Sequence, residues 1–303
     1  MKNSLCVTVL TIVIGAAFHQ DAGAQQTGTP VYARMSPSEF EDVPRPHQGA
    51  GILRLKTYLT SDVFRTNMHA VSRASIPPGA SIGEHVHRHM EEIFIILNAP
   101  AQFTVNGVTA ELPARSMVVC NTNNSHGIYN HNKDIDLYWL YFAVTEVKGK
   151  GDAVDYGDDL TNKTIESPAP FKYTTLDRSL LHPAPNAHGG KGAILFRRMW
   201  DRDDFRTNWE FIDHCVLPPG TSIGYHQHNA IEVVYYIVSG YGQMTVNDHT
   251  WDVTAGDAIP CTLHDSHGLY NNGTEDIELI VCSCAVEKGA RDTKNRGDDL
   301  TDR

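Results

Sequence analysis

Two sets of histidines with nearby glutamates recur along the chain at spacings that suit metal ligation. The first set comprises His85, His87, an adjacent pair of acids at Glu91 and Glu92, and His126. Two histidines at positions i and i+2 of a β-strand point to the same face, so both imidazoles can reach one ion. A carboxylate adds negative charge, and a histidine from another strand completes a set typical of first-row divalent metals.

The second set has the same spacing and comprises His226, His228, Glu232 and His267. Its single acid, Glu232, aligns with Glu91 of the first set. A slip of one residue along a strand moves a side chain to the opposite face, so Glu91 and Glu92 cannot both face the metal. Because the two sets should share one geometry, we expect Glu91 and Glu232 to be the ligands, with Glu92 as the alternative. Three histidines and one carboxylate leave coordination positions open for water, substrate or dioxygen.

Both sets belong to a tandem repeat that covers most of the chain. Shifted by 141 positions, the chain aligns with itself without a gap from about Tyr32 to Ala143, and one residue drops out later. A Ser-Pro-Ala-Pro run within residues 162–172 is typical of a linker. We therefore predict two domains, residues 32–161 and residues 173–303.

Inside each repeat, short runs of branched and aromatic residues alternate with glycine, proline, asparagine and aspartate. Strand-like composition is found in residues 92–97, 101–105, 233–238, 243–246 and 277–282. The dipeptide Asn106-Gly107 favours a tight hairpin turn. No long stretch shows the periodicity of a helix. Many short strands with regular turns predict an all-β fold with two tandem barrels.

These features resemble the two sequence motifs of the cupin superfamily. The motifs read Gly-x5-His-x-His-x3,4-Glu-x6-Gly and Gly-x5-Pro-x-Gly-x2-His-x3-Asn, and each repeat contains both histidine patterns in order. The resemblance covers nearly the whole chain after its first residues, and it implies two cupin barrels of the double-stranded β-helix or jelly-roll type. It does not define a reaction, because cupins include dioxygenases, decarboxylases, isomerases, lyases and non-catalytic binding or storage proteins.

The two repeats differ in how well they match these motifs. The opening glycine of the second motif is Gly256 in the second repeat but Arg115 in the first. The last glycine of the first motif is Gly240 in the second repeat but Ala99 in the first. Glycine permits backbone conformations that tight turns need. We therefore expect the second repeat to have the better-formed metal site and the first to be vestigial or regulatory.

Four further residues are candidates for catalysis or for a substrate pocket. His264 lies shortly before His267, where it either shuttles protons beside the metal or is an exposed loop histidine. Tyr225 and Tyr235 either line the pocket or only pack. Arg206 is able to clamp a substrate carboxylate through paired hydrogen bonds, although its counterpart Arg65 in the first repeat favours a structural role or a domain contact.

Charge and the first residues indicate where the protein works. The formal net charge of −11 argues against nucleic-acid and anionic-membrane partners. Lys2, the apolar residues 5–17 and the small residues Ala22 and Ala24 match a cleavable signal peptide, residues 1–24. Such an apolar stretch is too short to span roughly 30 Å of hydrocarbon. We expect a soluble protein that is secreted or periplasmic.

The residue types favour a metal-dependent enzyme that acts on a small oxygen-rich molecule such as a carboxylate, an enol or a diol. We expect up to one divalent ion per barrel, drawn from Mn, Fe, Zn, Ni and Cu, acting as a Lewis acid or on dioxygen. Dioxygenase-like or decarboxylase-like chemistry, and thus an oxidoreductase or lyase, ranks first. A sugar or uronate isomerase or lyase is one alternative, and a non-catalytic binding or storage protein is another. The expected partner is a small-molecule substrate, and a homo-oligomer is left open.

Overall fold

The computed structural model describes residues 32–303, and it consists almost entirely of β-strands and their connections. The signal peptide expected at residues 1–24 lies outside the described residues. Within residues 32–303 there is no helix both long enough and apolar enough to cross a membrane. The all-β fold expected from the sequence is confirmed.

The first repeat forms thirteen strands, most of them rich in branched and aromatic side chains. In chain order they are β1 Ala33–Arg34, β2 Glu41–Pro44, β3 Ile52–Thr60, β4 Met68–Ile76, β5 Ser81–Val86, β6 Met90–Ile96, β7 Ala101–Val105, β8 Val108–Leu112, β9 Ser116–Cys120, β10 Ser125–Tyr129, β11 Leu137–Thr145, β12 Val154–Asp155 and β13 Ile165–Glu166. Asn106 and Gly107 connect β7 to β8 with φ values of 50° and 78°. Positive φ at both residues is the requirement of the predicted two-residue turn.

The second repeat forms the same kind of strands in the same order. They are β14 Thr174–Thr175, β15 His182–Pro185, β16 Ala193–Asp201, β17 Trp209–Leu217, β18 Ser222–Gln227, β19 Ile231–Ser239, β20 Tyr241–Val246, β21 His249–Thr254, β22 Asp257–Cys261, β23 Ser266–Tyr270, β24 Ile277–Ala285 and β25 Lys294–Asn295. Helical structure in the described residues is limited to short 3-10 turns at Pro37–Glu39, Pro46–Gln48, Arg178–Leu180, Ala187–Gly189 and Arg202–Asp204.

Each repeat folds into two sheets that face each other. In the first barrel the strand orders are β14-β9-β6-β11-β4-β3-β2 and β12-β5-β10-β7-β8-β13. In the second barrel they are β1-β22-β19-β24-β17-β16-β15 and β21-β20-β23-β18-β25. Side chains alternate along every strand, so one face of each sheet lines the barrel interior. Each interior is an apolar core, around Phe94 and Trp139 in the first barrel and around Ile259 and Leu279 in the second.

A third apolar core joins the two barrels. It is built from side chains on the outer face of one sheet of each barrel, including Phe64, Val71, Phe142, Trp209 and Ile212. Short strands are also exchanged across this contact, because β1 pairs with β22 and β14 pairs with β9. The contact therefore combines apolar burial with backbone hydrogen bonds. The exchange crosses the domain boundaries expected from the repeat.

The strand pairing also corrects one detail of the repeat. Ile76 pairs with Leu137 in the first barrel, and Leu217 pairs with Ile277 in the second. Ile76 and its equivalent Leu217 are therefore 141 positions apart in the chain, whereas Leu137 and its equivalent Ile277 are 140 positions apart. The missing residue thus belongs to the loop before Leu137, and not to the segment after Ala143.

Candidate metal centres

Each barrel brings three histidines together from two neighbouring strands. His85 on β5 and His126 on β10 are direct partners in the strand register. His87 follows β5 and points to the same interior, because side chains alternate along extended chain. The second barrel repeats this arrangement with His226, His228 and His267. All of these side chains are buried.

The orientation of every one of these imidazoles is set by a backbone carbonyl that faces Nδ1. In chain order the carbonyls belong to Gly83 for His85, Asp152 for His87, Asn124 for His126, Gly224 for His226, Asp292 for His228 and Asp265 for His267. A carbonyl oxygen only accepts, so Nδ1 must donate its proton there. The lone pair of Nε2 is then free for a metal, which is the usual arrangement of histidine ligands.

In the first barrel Glu92, on β6, completes the histidine set. Its Oε1 lies 2.9 Å from Nε2 of His87, and its Oε2 lies 2.8 Å from Nε2 of His126. Ligand atoms of His85, His87, Glu92 and His126 all lie within 4.8 Å of one another. Tyr141 donates a 2.6 Å hydrogen bond to Oε1 and so positions the carboxylate. Glu92, expected only as the alternative, is the carboxylate of this cluster.

The structure corrects the expectation for Glu91. Its Oε1 accepts a 2.8 Å hydrogen bond from the backbone N–H of Arg206. Its Oε2 accepts hydrogen bonds of 2.8 and 2.6 Å from the backbone N–H and the hydroxyl of Thr207. Adjacent residues of a strand face opposite sides of the sheet, so when Glu92 faces the barrel interior Glu91 must face the other barrel.

The same correction applies to Glu232. Its Oε2 accepts hydrogen bonds of 2.8 and 2.6 Å from the backbone N–H and the hydroxyl of Thr66, and Oε1 accepts one of 2.9 Å from the N–H of Arg65. Glu91 and Glu232 are thus equivalent, as the repeat predicts, but both hold the barrels together. Val233 occupies the position that corresponds to Glu92.

The second cluster therefore contains three histidines and no carboxylate among the described residues. The expectation that the second repeat would have the better-formed set of ligands is wrong, because the complete set lies in the first barrel. Turn glycines were a poor guide here. Arg115 adopts a φ of 68° in the place of Gly256, so the first repeat makes the same turn without glycine.

Burial keeps the imidazoles of the second cluster uncharged. It lowers the pKa of His226 well below the usual value and that of His267 to about 3. In the first cluster burial opposes ionisation of Glu92, but the adjacent imidazoles of His87 and His126 hold the pKa of Glu92 well below its usual range. Neutral imidazoles and an ionised carboxylate are the forms that bind metal.

Unsatisfied nitrogen atoms in both clusters fit a metal ion. Nε2 of His267 is buried and has no hydrogen-bond partner among the described residues. Nε2 of His87 is close to Glu92 but lacks the alignment of a hydrogen bond. A buried polar atom without a partner is unfavourable, whereas imidazole and carboxylate suit a first-row divalent ion. Each barrel therefore has a site for one divalent transition metal, which confirms the expectation from the sequence.

A cavity of about 210 Å³ lies beside the second cluster. Val233 and Val281 are among its walls. The strand register places Val281 opposite Tyr235 in the second barrel and Tyr141 opposite Phe94 in the first, so Val281 corresponds to Tyr141. The second barrel thus has valine where the first has Glu92 and Tyr141, and the missing side chains leave space beside the histidines.

The cavity also contains an ion pair within its mainly apolar lining. Arg198 donates to Asp213 through Nε at 2.6 Å and Nη2 at 3.2 Å. Burial raises the pKa of Asp213 to about 6 although Arg198 opposes the shift. Thr57 and Ser72 occupy the corresponding positions of the first barrel, where their hydroxyls are 2.9 Å apart.

Two histidines that were not predicted as site residues cover the clusters. His47 stacks on His85 with ring centroids 3.7 Å apart, and His188 stacks on His226 at 3.9 Å. Both have positive φ, which is uncommon outside glycine. The close approach of His188 to His226 needs a glycine on β18, because a Cβ at Gly224 would lie 2.6 Å from the carbonyl oxygen of His188. Their matching positions in the repeat were the signal that could have found them.

The two tyrosines proposed for the pocket have different places. Tyr235 lines the cavity, and its ring packs edge-on against His267 with centroids 5.7 Å apart. Tyr225 does not line the cavity, because its hydroxyl donates to the carbonyl of Asn247 and its ring lies under Arg303. The pocket assignment therefore fits Tyr235 and is corrected for Tyr225.

Arg206 and His264 are also absent from the cavity lining. Arg206 extends to the first barrel and donates to the carbonyl of Thr122, as a domain contact would. The exposed side chain of His264 contacts Asn229 through Nδ1. Its φ of 74° places it in a left-handed turn beyond the cluster. Neither residue is positioned for the pocket or proton-shuttle role considered for it.

Comparison with known proteins identifies the family. The family model described as Cupin domain matches residues 72–142 and 213–283, one match in each barrel. The oxalate-binding protein of Thermotoga maritima is 30% identical over 96 residues, which cover 79% of that protein and 32% of this chain. This chain belongs to the cupin superfamily. With one match in each of two tandem barrels, it is a bicupin.

Solved cupin structures share the two-barrel architecture. Oxalate decarboxylase of Bacillus subtilis at pH 4.6 matches this bicupin with a TM-score of 0.60 and 16% identity, covering 89% of this chain and 79% of that one. The formate complex of Lactobacillus farciminis oxalate decarboxylase matches with a TM-score of 0.59 and 15% identity, covering 89% and 90%. Mn(II) centres are described for the B. subtilis enzyme. At this identity the likeness establishes the fold alone.

Proposed function

We propose that this bicupin binds a small, oxygen-rich anion at the metal site of its second barrel and transforms it by decarboxylase-like chemistry. The observation that carries the proposal is the cavity of about 210 Å³ that His226 and His228 line. Pockets for drug-sized ligands measure roughly 300–1,000 Å³. This cavity therefore suits a smaller molecule that touches the metal site directly.

The charge distribution around the cavity favours an anion. A divalent ion held by three neutral imidazoles would keep its charge and act as a Lewis acid toward a carboxylate. Arg291 also lines the cavity and corresponds to Gly151 of the first barrel, as the equivalent contacts of Asp152 and Asp292 show. No acid lies within ion-pair distance of Arg291 in residues 32–303.

The cavity also contains a group able to exchange protons. Loss of carbon dioxide leaves a carbanion that must be protonated, so a nearby acid with a pKa close to the working pH is useful. The carboxyl of Asp213 lines the cavity and has a pKa of about 6, raised by burial. We assign the proton-donor role to Asp213 in place of His264, which lies outside the cavity.

The named relatives agree with a small carboxylate as the ligand. The related T. maritima protein is named for oxalate binding, and the structural neighbours include oxalate decarboxylases. Because the former name describes binding only, a metal-dependent binding protein without turnover is the second candidate. Dioxygenase-like chemistry at the same site differs from decarboxylation in that it consumes dioxygen.

The experiment compares metal content, ligand binding and turnover in the wild type, His226→Ala and His85→Ala. We expect each substitution to remove about half of the bound metal, because each removes a ligand from one of two sites. Only His226→Ala should abolish binding of short carboxylates and release of carbon dioxide. Binding without any product would support the binding protein. Binding and turnover that survive His226→Ala but not His85→Ala would refute the assignment to the second barrel.

We also propose export from the cytoplasm. The proposal rests on the basic Lys2, the apolar residues 5–17 and the small residues Ala22 and Ala24. Expression with its native start should yield a processed extracytoplasmic protein that begins at Gln25. Recovery of only the unprocessed chain in the cytoplasm would contradict export.

A further inference from the structure

The loop that follows β24 presents an arginine to the second cavity where the first barrel has a glycine. Arg291 lines the cavity, and its equivalent is Gly151. The next residues, Asp152 and Asp292, both accept hydrogen bonds of 2.7–3.0 Å from the two backbone N–H groups that follow the second histidine of their cluster. The loop is therefore held in the same way in both barrels, and it does not need the arginine side chain.

The guanidinium of Arg291 is available to a ligand. It lies over an aromatic wall of the cavity, with Cζ 5.3 Å from the ring centroid of Phe211, and the residue is partly open to solvent. Arg198, the other arginine of the lining, is paired with Asp213. Arg291 forms no ion pair with an acid of residues 32–303. It can therefore donate paired hydrogen bonds to a carboxylate.

The metal site and Arg291 are separated across the sheet. Phe211, under Arg291, pairs with Ser283, and Ser283 pairs with Val233. Val233 stands in the place of Glu92, so it marks the side of the sheet next to the metal. Two strand spacings put the backbones of Phe211 and Val233 about 10 Å apart. A ligand that reaches both the metal and Arg291 therefore needs carbon atoms between its two anionic ends.

The volume and the lining of the cavity agree with such a spacer. At about 30 Å³ per water molecule, the cavity of about 210 Å³ holds about seven waters. Oxalate has fewer non-hydrogen atoms than that, and its two carboxylates are joined directly. The walls include the apolar side chains of Phe211, Ile231 and Val281. A short carbon chain suits these walls better than two adjacent carboxylates.

Loss of carbon dioxide adds a requirement for this carbon chain. The electron pair of the broken bond needs an acceptor, and a carbonyl one carbon further along the chain provides it. In 2-oxobutanedioate the bond between C3 and C4 breaks, the pair passes to the 2-oxo group to give an enolate, and C3 takes a proton. Asp213, the proposed proton donor, supplies that proton and regains one from water. The 2-oxo acid end also has two adjacent oxygens for a metal held by only three histidines.

We propose that the second cavity binds a short 2-oxo dicarboxylate, with its 2-oxo acid end at the histidine cluster and its distal carboxylate at Arg291. This inference rests on the proposed function, since it assumes that the ligand binds at the second metal site. It goes further by naming the class of ligand and by making Arg291 the residue that selects it. It also distinguishes this ligand from oxalate, for which the relatives are named.

The first test measures dissociation constants by titration calorimetry with the manganese-loaded protein at pH 7. One probe is 3-phosphonopyruvate, in which a phosphonate replaces the carboxylate that would leave, and the other is 2-oxobutanoate, which lacks the distal anion. We expect 3-phosphonopyruvate to bind about fivefold or more tightly, a difference of about 1 kcal/mol. Equal or tighter binding of 2-oxobutanoate would overturn the proposal.

Arg291→Gly is the decisive variant, because it installs the residue of the first barrel on a loop that is held in the same way. It should remove the preference for 3-phosphonopyruvate and leave the manganese content unchanged. The matched control, Gly151→Arg, adds an arginine at the same place in the first barrel and should leave the preference as it is. Arg291→Gln keeps the length of the side chain without its charge and replaces Arg291→Gly if that variant does not fold. A preference retained without the charge of Arg291 would overturn the assignment.

Turnover tests the class of ligand. We expect kcat/KM for release of carbon dioxide from 2-oxobutanedioate to exceed that for oxalate by about tenfold or more. Arg291→Gly should raise KM for 2-oxobutanedioate more than it lowers kcat, because the contact is already made in the bound substrate. An equal or higher kcat/KM for oxalate would overturn the ligand class.

Failure of the proposed function gives a different result. Binding of 3-phosphonopyruvate that survives His226→Ala would refute the second metal site as the place of binding, and with it this inference. Binding that requires His226 but shows no preference for the distal anion would refute only the role of Arg291.

Discussion

At the scale of single residues, the two adjacent glutamates of β6 have different tasks. Glu92 contacts the ring nitrogens of His87 and His126, whereas Glu91 binds the backbone of the other barrel. Both are buried. Their roles follow from strand alternation alone, since consecutive side chains face opposite sides of a sheet.

Substitution of the two acids by glutamine should therefore have separable effects. Glu92→Gln should lower the metal affinity of the first barrel by about tenfold or more with little change of the domain contact. Glu91→Gln should retain the metal but lower the free energy of unfolding by about 1–3 kcal/mol, because charged hydrogen bonds to Thr207 weaken. Metal titration and urea denaturation measure the two effects. Loss of metal from Glu91→Gln with retention in Glu92→Gln would contradict the ligand assignment.

Asp213 should make stability depend on pH in a defined direction. Burial raises its pKa from 3.8 to about 6 in the folded protein, so the folded state binds the proton more tightly than the unfolded state. Its contribution is complete below pH 3.8 and is lost as the pH rises through about 6. Relative to Asp213→Asn, the wild type should lose about 2 kcal/mol of unfolding free energy between pH 4 and pH 7.

Urea denaturation at several pH values checks this difference, with Ser72→Asn as the control that should show none. A difference between wild type and Asp213→Asn that is independent of pH would mean that Asp213 titrates normally.

At the scale of the elements, two of the aligned positions at which β6 and β11 of the first barrel differ from β19 and β24 of the second lie beside the metal site. Glu92 and Tyr141 are joined by a hydrogen bond in the first barrel, and Val233 and Val281 line the cavity in the second. The two strand pairs have the same register. The backbone arrangement is therefore the same in both barrels. Glu92 and Tyr141 fill the space beside the histidines in the first barrel, whereas Val233 and Val281 leave a cavity there in the second.

Transfer of these two side chains should convert one kind of site into the other. Val233→Glu combined with Val281→Tyr should fill the cavity, strengthen metal binding in the second barrel and weaken carboxylate binding by about tenfold or more. Metal and ligand titrations of the double variant test this. The matched control, Glu92→Val with Tyr141→Val, should weaken metal binding in the first barrel and leave carboxylate binding at His226 intact. Undiminished ligand binding after the first exchange would show that the ligand lies elsewhere.

Much of the fold and all six histidines of the two clusters followed from the sequence, whereas the preferred carboxylates did not. The histidine spacing, the repeat and the turn dipeptide Asn106-Gly107 are local patterns, and local patterns report strand direction and turns. The choice between Glu91 and Glu92 depended instead on which face of β6 meets the other barrel. Alignment with Glu232 correctly paired equivalent residues, but their shared role is a contact between barrels that no local pattern reveals.

The cavity could not be predicted from the sequence for a related reason. Arg198 and Asp213 lie in one sheet of the second barrel and His226 lies in the other, and only the packing of the two sheets places them around one cavity. His47 and His188 could have been found from their matching places in the repeat. That they stack on His85 and His226 is visible only in the folded structure.

At the scale of the whole molecule, the barrels form one structural unit. Trp209 and Phe142 pack in a core between them, and β1 and β14 each complete a sheet of the opposite barrel. Neither barrel has its complete set of hydrogen bonds without the other. A contact of this kind couples the unfolding of its two partners.

The metal-free protein should therefore unfold in a single cooperative transition. The fluorescence of Trp139, inside the first barrel, and that of Trp251, on the second, should change at the same urea concentration when each is the only tryptophan and the other three of the chain are replaced by Phe. Two transitions separated in urea concentration would show that the barrels unfold independently.

The central claim is that the two metal sites are unlike, the first completed by Glu92 and the second open to a ligand. The most direct test is the stoichiometry of a short carboxylate such as oxalate bound to the cobalt-loaded protein, followed by the visible spectrum of the metal. We predict two metal ions and one ligand per chain, with the spectral change lost in His226→Ala and retained in His85→Ala. Two ligands per chain, or a change that is retained in His226→Ala, would contradict it.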